Sequence, residues 1–271
     1  RGNPITCPAR RQMIRRTLSV AVLAPLVLVI IVLAPAPVFL AFLDLILLIA
    51  VLELFRLLAP LGARKPIPAI AACVILPWVW NQGGSAVVAY LLGACLCLLT
   101  ANLYRVANHR DALVSASASL MALLYLGLPV SLLAGYRSRS DELLMILAIV
   151  WSCDIAAYLV GSRWGRRRIT PRLSPAKSLE GFAAGLAAAL AIAVLLGYGL
   201  LGRSDWGLLS LIGVVVGLAA ILGDLFESLL KRAVGAKDSG SLIPGHGGLL
   251  DRIDSLLFAF PVYHCLSFLL G

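Results

Sequence analysis

Long unbroken apolar runs dominate the chain, and polar residues gather in the gaps between them. Nine runs stand out, at 18–34, 37–58, 67–80, 86–103, 113–135, 142–161, 181–201, 206–230 and 255–270. None alternates with the period of two that a barrel strand needs. Most approach the roughly 20 apolar residues that carry a helix across a bilayer. Only helices and closed barrels satisfy their backbones in lipid. The pattern therefore predicts an all-α, polytopic membrane bundle of about nine transmembrane helices. The run at 67–80 is short and reads either as a crossing or as a re-entrant segment. Composition points the same way: 61% of residues are hydrophobic and 13% charged, against roughly 45–50% and about 25% in soluble domains.

A formal net charge of +10 first suggests a nucleic-acid partner, but its placement argues against one. With nine spans and the N-terminus inside, 20 of the 23 Lys and Arg fall on the inner side and 3 on the outer. This is the positive-inside asymmetry of membrane proteins. It predicts a cytoplasmic N-terminus, an outside C-terminus and no nucleic-acid partner. Both large polar loops, 162–180 and 231–254, then face the cytoplasm.

Residues 1–12 read as an N-terminal extension, native or foreign, ahead of a natural-looking start at Met13. The basic start, the apolar run and Ala34–Pro37 also resemble a signal peptide. The run is long for one, however, and eight further spans follow. The six cysteines show no metal-type spacing, and most lie in apolar runs, where Cys acts as a small hydrophobe. Residues 13–135 form an N-terminal set of transmembrane helices with little chemistry beyond Asp44 and Glu53. Intramembrane carboxylates are costly and default to function. The competing reading has each one hydrogen-bonding across a helix interface. Residues 136–271 form a C-terminal catalytic region, because their spans carry Asp154, Asp224 and Glu227 and their loops carry most of the remaining charge. The small residues of 181–193 and 213–223 predict close helix packing.

Three stretches could do chemistry. In GDLFESLLKR (223–232), Asp224, Glu227, Ser228 and Lys231 recur at i, i+3, i+4 and i+7 and share one helix face. Lipid cannot solvate such a stripe, so it faces protein, water or a ligand; the bland alternative is a salt-bridged helix end snorkelling to the surface. In KDSGSLIPGHGGLLDRID (237–254), Pro244, Gly245, Gly247 and Gly248 permit a tight bend and close approach to a ligand. Asp251 and Asp254 then open the next helix. Capping accounts for one of those aspartates, but not for Lys237, Asp238, His246, Asp251, Arg252 and Asp254 around one turn. In 151–181, Asp154, Tyr158 and Gly161 share a face, an arginine cluster follows that alone reads as a membrane anchor, and Ser174 and Lys177 are better phosphate ligands. Ser178 with Glu180 reads as a helix N-terminus. Carboxylates beside cations at a membrane edge suit Mg²⁺, which takes one or two carboxylates plus substrate phosphates and water, with Lys and Arg meeting the remaining phosphate charge. His246 is a poor Mg²⁺ ligand and reads as a phosphate contact or a shaper of the loop.

These stretches resemble the phosphatidate cytidylyltransferases, or CDP-diacylglycerol synthases. SLLKRAVGAKDSGSLIPGHGGLLDRID (228–254) fits the family's C-terminal signature in full. DIAAYLVGSRWG (154–165) and SPAKSLEG (174–181) fit its preceding pattern, with Ser178 in place of the usual Thr. The motifs cover 154–254, while the first 150 residues match only as hydrophobic helices. The resemblance implies transfer of CMP from CTP to phosphatidate by a Mg²⁺-dependent, often dimeric enzyme, here in a bacterial inner membrane, with one or two metal sites. It implies Asp224 and Asp251 as metal ligands, with Asp154 a further candidate. Asp224, Asp251, Lys231 and Lys237 are the expected catalytic residues. Ser174, Lys177, Tyr158, Ser228, Arg232, Asp238, His246, Gly247, Gly248, Arg252 and Asp254 are the expected substrate contacts. Two rivals are a cytidylyltransferase for an ether-lipid phosphate and an ion-coupled transporter. The transporter would call for inverted repeats with broken helices, and none is visible.

Overall fold

The computed structural model describes residues 25–103, 108–171, 173–240 and 247–270. Residues 18–24 of the first expected span lie outside them, and residues 25–33 are helical. Ala34–Pro37 is the start of the next helix: Pro35 caps α1 (Ala36–Leu58) in extended geometry and another proline occupies its first turn, where the missing N–H costs no hydrogen bond. Helix α2 (Ile67–Trp80) has 14 residues. At about 1.5 Å per residue it falls short of the roughly 30 Å hydrocarbon core. It is packed inside the bundle, with Ala69, Cys73 and Leu76 fully buried.

Helix α3 (Gly84–Leu103) follows, then α4 (His109–Met121), which runs through a π-helical segment (Ala122–Gly127) into α5 (Leu128–Gly135). Pro129 lacks the N–H for an ordinary helical bond and crowds the carbonyl four residues back, which accounts for the wider turn at this position. The second half comprises α6 (Ser140–Trp164), a hairpin of β1 (Arg168–Thr170) and β2 (Ser174–Ser178), α7 (Leu179–Gly199), α8 (Trp206–Ala233) and α9 (Leu250–Leu270). Among the described residues, seven helical segments are long and apolar enough to cross a membrane. The protein is an all-α integral membrane bundle, with a single two-stranded hairpin among those residues.

Helix α7 packs between α6 and α8 through a stripe of small residues: Gly181, Gly185, Ala189, Ala193 and Gly197 are all buried. A Cβ on Gly185 would lie 2.9 Å from the Cys153 carbonyl of α6, and one on Gly213 of α8 would lie 2.6 Å from the Leu190 backbone. Small residues let the backbones approach where lipid supplies no hydrophobic drive. This tight packing brings the C-terminal ends of α6 and α8 and the N-terminal ends of α7 and α9 to one end of the bundle. The C-terminal part of α1 reaches the same end, through Glu53.

Candidate active site

The site begins where α6 leaves the bundle. Ser178 caps α7, its Oγ accepting the Gly181 N–H at 3.2 Å. The Glu180 carboxylate turns back and accepts the backbone N–H groups of Arg166 and Arg167 at 3.0 and 3.3 Å. The basic segment is thereby folded into the β1–β2 hairpin, with the Arg168 guanidinium donating to the Ala176 carbonyl at 2.8 Å. The hairpin presents Lys177, whose Nζ sits 2.7 Å from Asp224 Oδ2. Beyond that ion pair, Lys177 Nζ is buried without a hydrogen-bond partner.

On α8 the polar stripe faces the protein, as its spacing requires. Lys231 Nζ donates to Glu227 Oε2 at 2.5 Å and to Asp251 Oδ1 at 2.6 Å. Asp251 stands in the first turn of α9. Its Oδ2 accepts three hydrogen bonds: from Ser239 N–H at 3.0 Å, Ser239 Oγ–H at 2.8 Å and Gly248 N–H at 2.8 Å. One carboxylate thus closes the described ends of the glycine-rich loop and docks them on α8. Gly247 adopts a positive φ of 81°, open to glycine at little steric cost. A Cβ there would also lie 2.5 Å from Asp251 Oδ2. The glycines therefore admit protein carboxylates at close range, where the sequence suggested close approach to a ligand.

Asp154 of α6, Asp224, Glu227 and Lys231 of α8, Asp238, and Asp251, Arg252, Asp254 and Ser255 of α9 enclose a cavity of about 280 Å³. Of the expected residues, Asp224, Lys231, Asp238, Asp251, Arg252, Asp254 and Asp154 therefore meet, and Lys177 joins through Asp224. Gly247 and Gly248 shape the loop behind Asp251. Other expected residues do not line the cavity. Tyr158 is 73% exposed. Lys237 is exposed, and Ser174 and Ser228 are half-buried on β2 and α8. Arg232 holds the hairpin, donating to the Leu173 carbonyl at 3.4 Å. Pro244, Gly245 and His246 lie outside the described residues.

Sequence reasoning passed over Ser239 and Ser255. Ser255 donates its N–H to Asp254 at 2.7 Å, and its neighbourhood to the two α9 aspartates was the only signal for it. Glu53 was left open between function and packing. It donates nothing; its Oε2 accepts the Leu250 N–H at 2.9 Å, a contact between distant segments. Asp44 meets the structural reading, accepting the Trp78 indole N–H at 2.9 Å.

Among the described residues, no three His, Cys, Asp or Glu side chains group tightly enough to hold a metal alone. The donors nonetheless suit a hard cation that uses one or two carboxylates and takes its other ligands from phosphate and water. Six carboxylates line the cavity, against two cationic side chains. Glu227 Oε1 is buried without a hydrogen-bond partner.

Comparison with known proteins fits this arrangement. A phosphatidate cytidylyltransferase of Staphylococcus aureus (strain COL) is 32% identical over 263 residues, covering 93% of this chain and 97% of that protein. Another from Staphylococcus haemolyticus is 36% identical over 162 residues, covering 59% of this chain and 62% of the relative. The uncharacterized protein YnbB of Escherichia coli (strain K12) is 45% identical over 120 residues, covering 44% of this chain and 40% of YnbB. The profile of the cytidylyltransferase family matches residues 14–270, nearly the whole chain, and the protein belongs to that family.

Proposed function

We propose that this protein transfers CMP from CTP to phosphatidate, giving CDP-diacylglycerol and pyrophosphate, in the cavity between α6, α8 and α9. The observation that carries the reading is a carboxylate-lined, cation-flanked cavity at one end of an apolar bundle. CTP arrives from water and phosphatidate from the leaflet, so the reaction belongs at such a depth.

A phosphate oxygen of phosphatidate attacks the α-phosphorus of CTP. The bond from that phosphorus to the bridging oxygen breaks, and its electron pair leaves with pyrophosphate. Phosphate monoesters have a second pKa of about 6, so the nucleophile is largely ionised and needs no strong base. The difficulty is bringing two polyanions together. Asp224 and Asp251 would hold Mg²⁺, with Asp154 placed for a second ion, and the metal supplies charge neutralisation and in-line orientation of the attacking and leaving oxygens. Lys231 is committed to two carboxylates, so it fixes Asp251 in place. Lys177 holds Asp224 and, beside the cavity, adds positive charge for phosphate. Arg252 in the cavity wall and exposed Lys237 supply further positive charge for the triphosphate.

With the short α2 counted as one of nine crossings, the Lys and Arg asymmetry supports a cytoplasmic site, a cytoplasmic N-terminus and an outside C-terminus, and relatives from bacteria support a bacterial inner membrane. The family resemblance supports a homodimer. Purified protein in detergent, given labelled CTP, Mg²⁺ and either phosphatidate or an ether-lipid phosphate, tests the assignment. Lipid-extractable CDP-diacylglycerol from phosphatidate, abolished by EDTA, is expected. Product from the ether lipid alone would move the assignment to that substrate, and no product from either would leave a transport role in front.

A further inference from the structure

The N-terminal helices contribute one residue to the site's construction. Glu53 is 3% exposed in the C-terminal part of α1, a mostly apolar helix. A buried carboxylate is expensive unless its hydrogen bonds are met. Oε2 accepts the Leu250 N–H at 2.9 Å, one of the N–H groups left unpaired at the start of α9. Oε1 is buried and takes no hydrogen bond. The carboxylate is wedged between the two described ends of the glycine-rich loop. A Cβ on Gly240 would lie 2.8 Å from Oε1, and one on Gly248 would lie 2.6 Å from Oε2. Those same ends, through Ser239 and Gly248, hold Asp251 Oδ2, and Asp251 Oδ1 holds Lys231.

We infer that Glu53 is a positioning residue for the cytidylyl-transfer site, acting through the glycine-rich loop on Asp251. The inference rests on the reaction assigned above. Glu53 does not line the cavity, so it has no direct role in the chemistry. It sets where α9 begins and how closely residues 239–240 and 247–248 approach each other. That spacing decides whether one carboxylate oxygen of Asp251 can take three donors while the other faces Lys231. A packing residue would need only bulk; this one needs an acceptor oxygen at a fixed reach. Glu53→Gln keeps both the reach and the acceptor, Glu53→Asp shortens the reach, and Glu53→Ala removes the acceptor.

Turnover and amide hydrogen exchange of the detergent-purified full chain test this. Glu53→Ala and Glu53→Asp are expected to lower kcat by about 10- to 100-fold, the usual cost of losing a residue that orients a metal ligand. Glu53→Gln should recover most of the rate. Exchange should quicken at the amides of residues 248–251 in Glu53→Ala while α6 and α7 stay protected. Gly240→Ala, whose Cβ would lie nearest to Glu53, should slow the wild type and cost little further in a Glu53→Ala background. The inference is overturned if Glu53→Ala exchanges and turns over like the wild type. It also fails if Glu53→Gln loses as much rate as Glu53→Ala, or if protection falls throughout the bundle. A wild type without cytidylyl-transfer activity would instead remove the assigned reaction, while the exchange pattern would still report the clamp.

Discussion

The two halves of the bundle are equally apolar to the eye, yet they treat carboxylates in opposite ways. In the N-terminal half, Asp44 and Glu53 each go to an N–H donor: the Trp78 indole and the Leu250 backbone. In the C-terminal half, Asp154, Asp224, Glu227, Asp238, Asp251 and Asp254 crowd around one cavity. Six carboxylates at such close range repel one another in a low dielectric, and Lys177, Lys231 and Arg252 offset only part of that charge. A lone intramembrane carboxylate can be a packing device. A cluster left short of positive charge suits the cation and phosphates of the proposed reaction.

That contrast can be broken by mutation, with the largest effects expected where the charge is crowded. Asp251→Asn puts an amide NH₂ group against Lys231 or against the Ser239 and Gly248 donors. It should lower kcat by roughly 1,000-fold, since metal-based charge stabilisation is worth several kcal/mol; a steady-state assay over a Mg²⁺ titration reads it. Lys177→Ala leaves Asp224 without its partner and loosens the hairpin from α8. A loss of about 10- to 100-fold is expected, by analogy with other residues that support a ligand, with partial recovery in Lys177→Arg. In the other half, Trp78→Phe removes the hydrogen bond to Asp44. It should cost about 1 kcal/mol of stability, read as a small fall in thermal midpoint with kcat unchanged. The smallest effect belongs to Tyr158→Phe: the ring is 73% exposed and outside the cavity, so both kcat and KM should match the wild type. A large loss there would show that the exposed face of α6 also meets substrate.

The same contrast explains what could be read from the chain. The crossings were legible because length and hydropathy are local properties, and the α8 stripe was legible because Asp224, Glu227 and Lys231 follow the helical repeat. The hairpin was not. Its strands are three and five residues long, and the segment looked like a membrane anchor until Glu180 was seen gathering the N–H groups of Arg166 and Arg167. Gly247 and Gly248 were recognised as points of close approach, but the approaching groups, Asp251 and Glu53, could not be named. Glu53 lies 197 residues from Leu250 in sequence, and no periodicity links α1 to α9. The short α2 was flagged by length alone; that it is packed inside the bundle follows from Cys73 and Leu76, buried among the other helices.

The most direct test of the account is the rate of CDP-diacylglycerol formation by Asp224→Asn beside the wild type, at matched folding and saturating Mg²⁺. Asp224 lines the cavity and holds Lys177, so the account predicts product near background. Wild-type turnover by Asp224→Asn would contradict it and place the reaction somewhere other than the cavity between α6, α8 and α9.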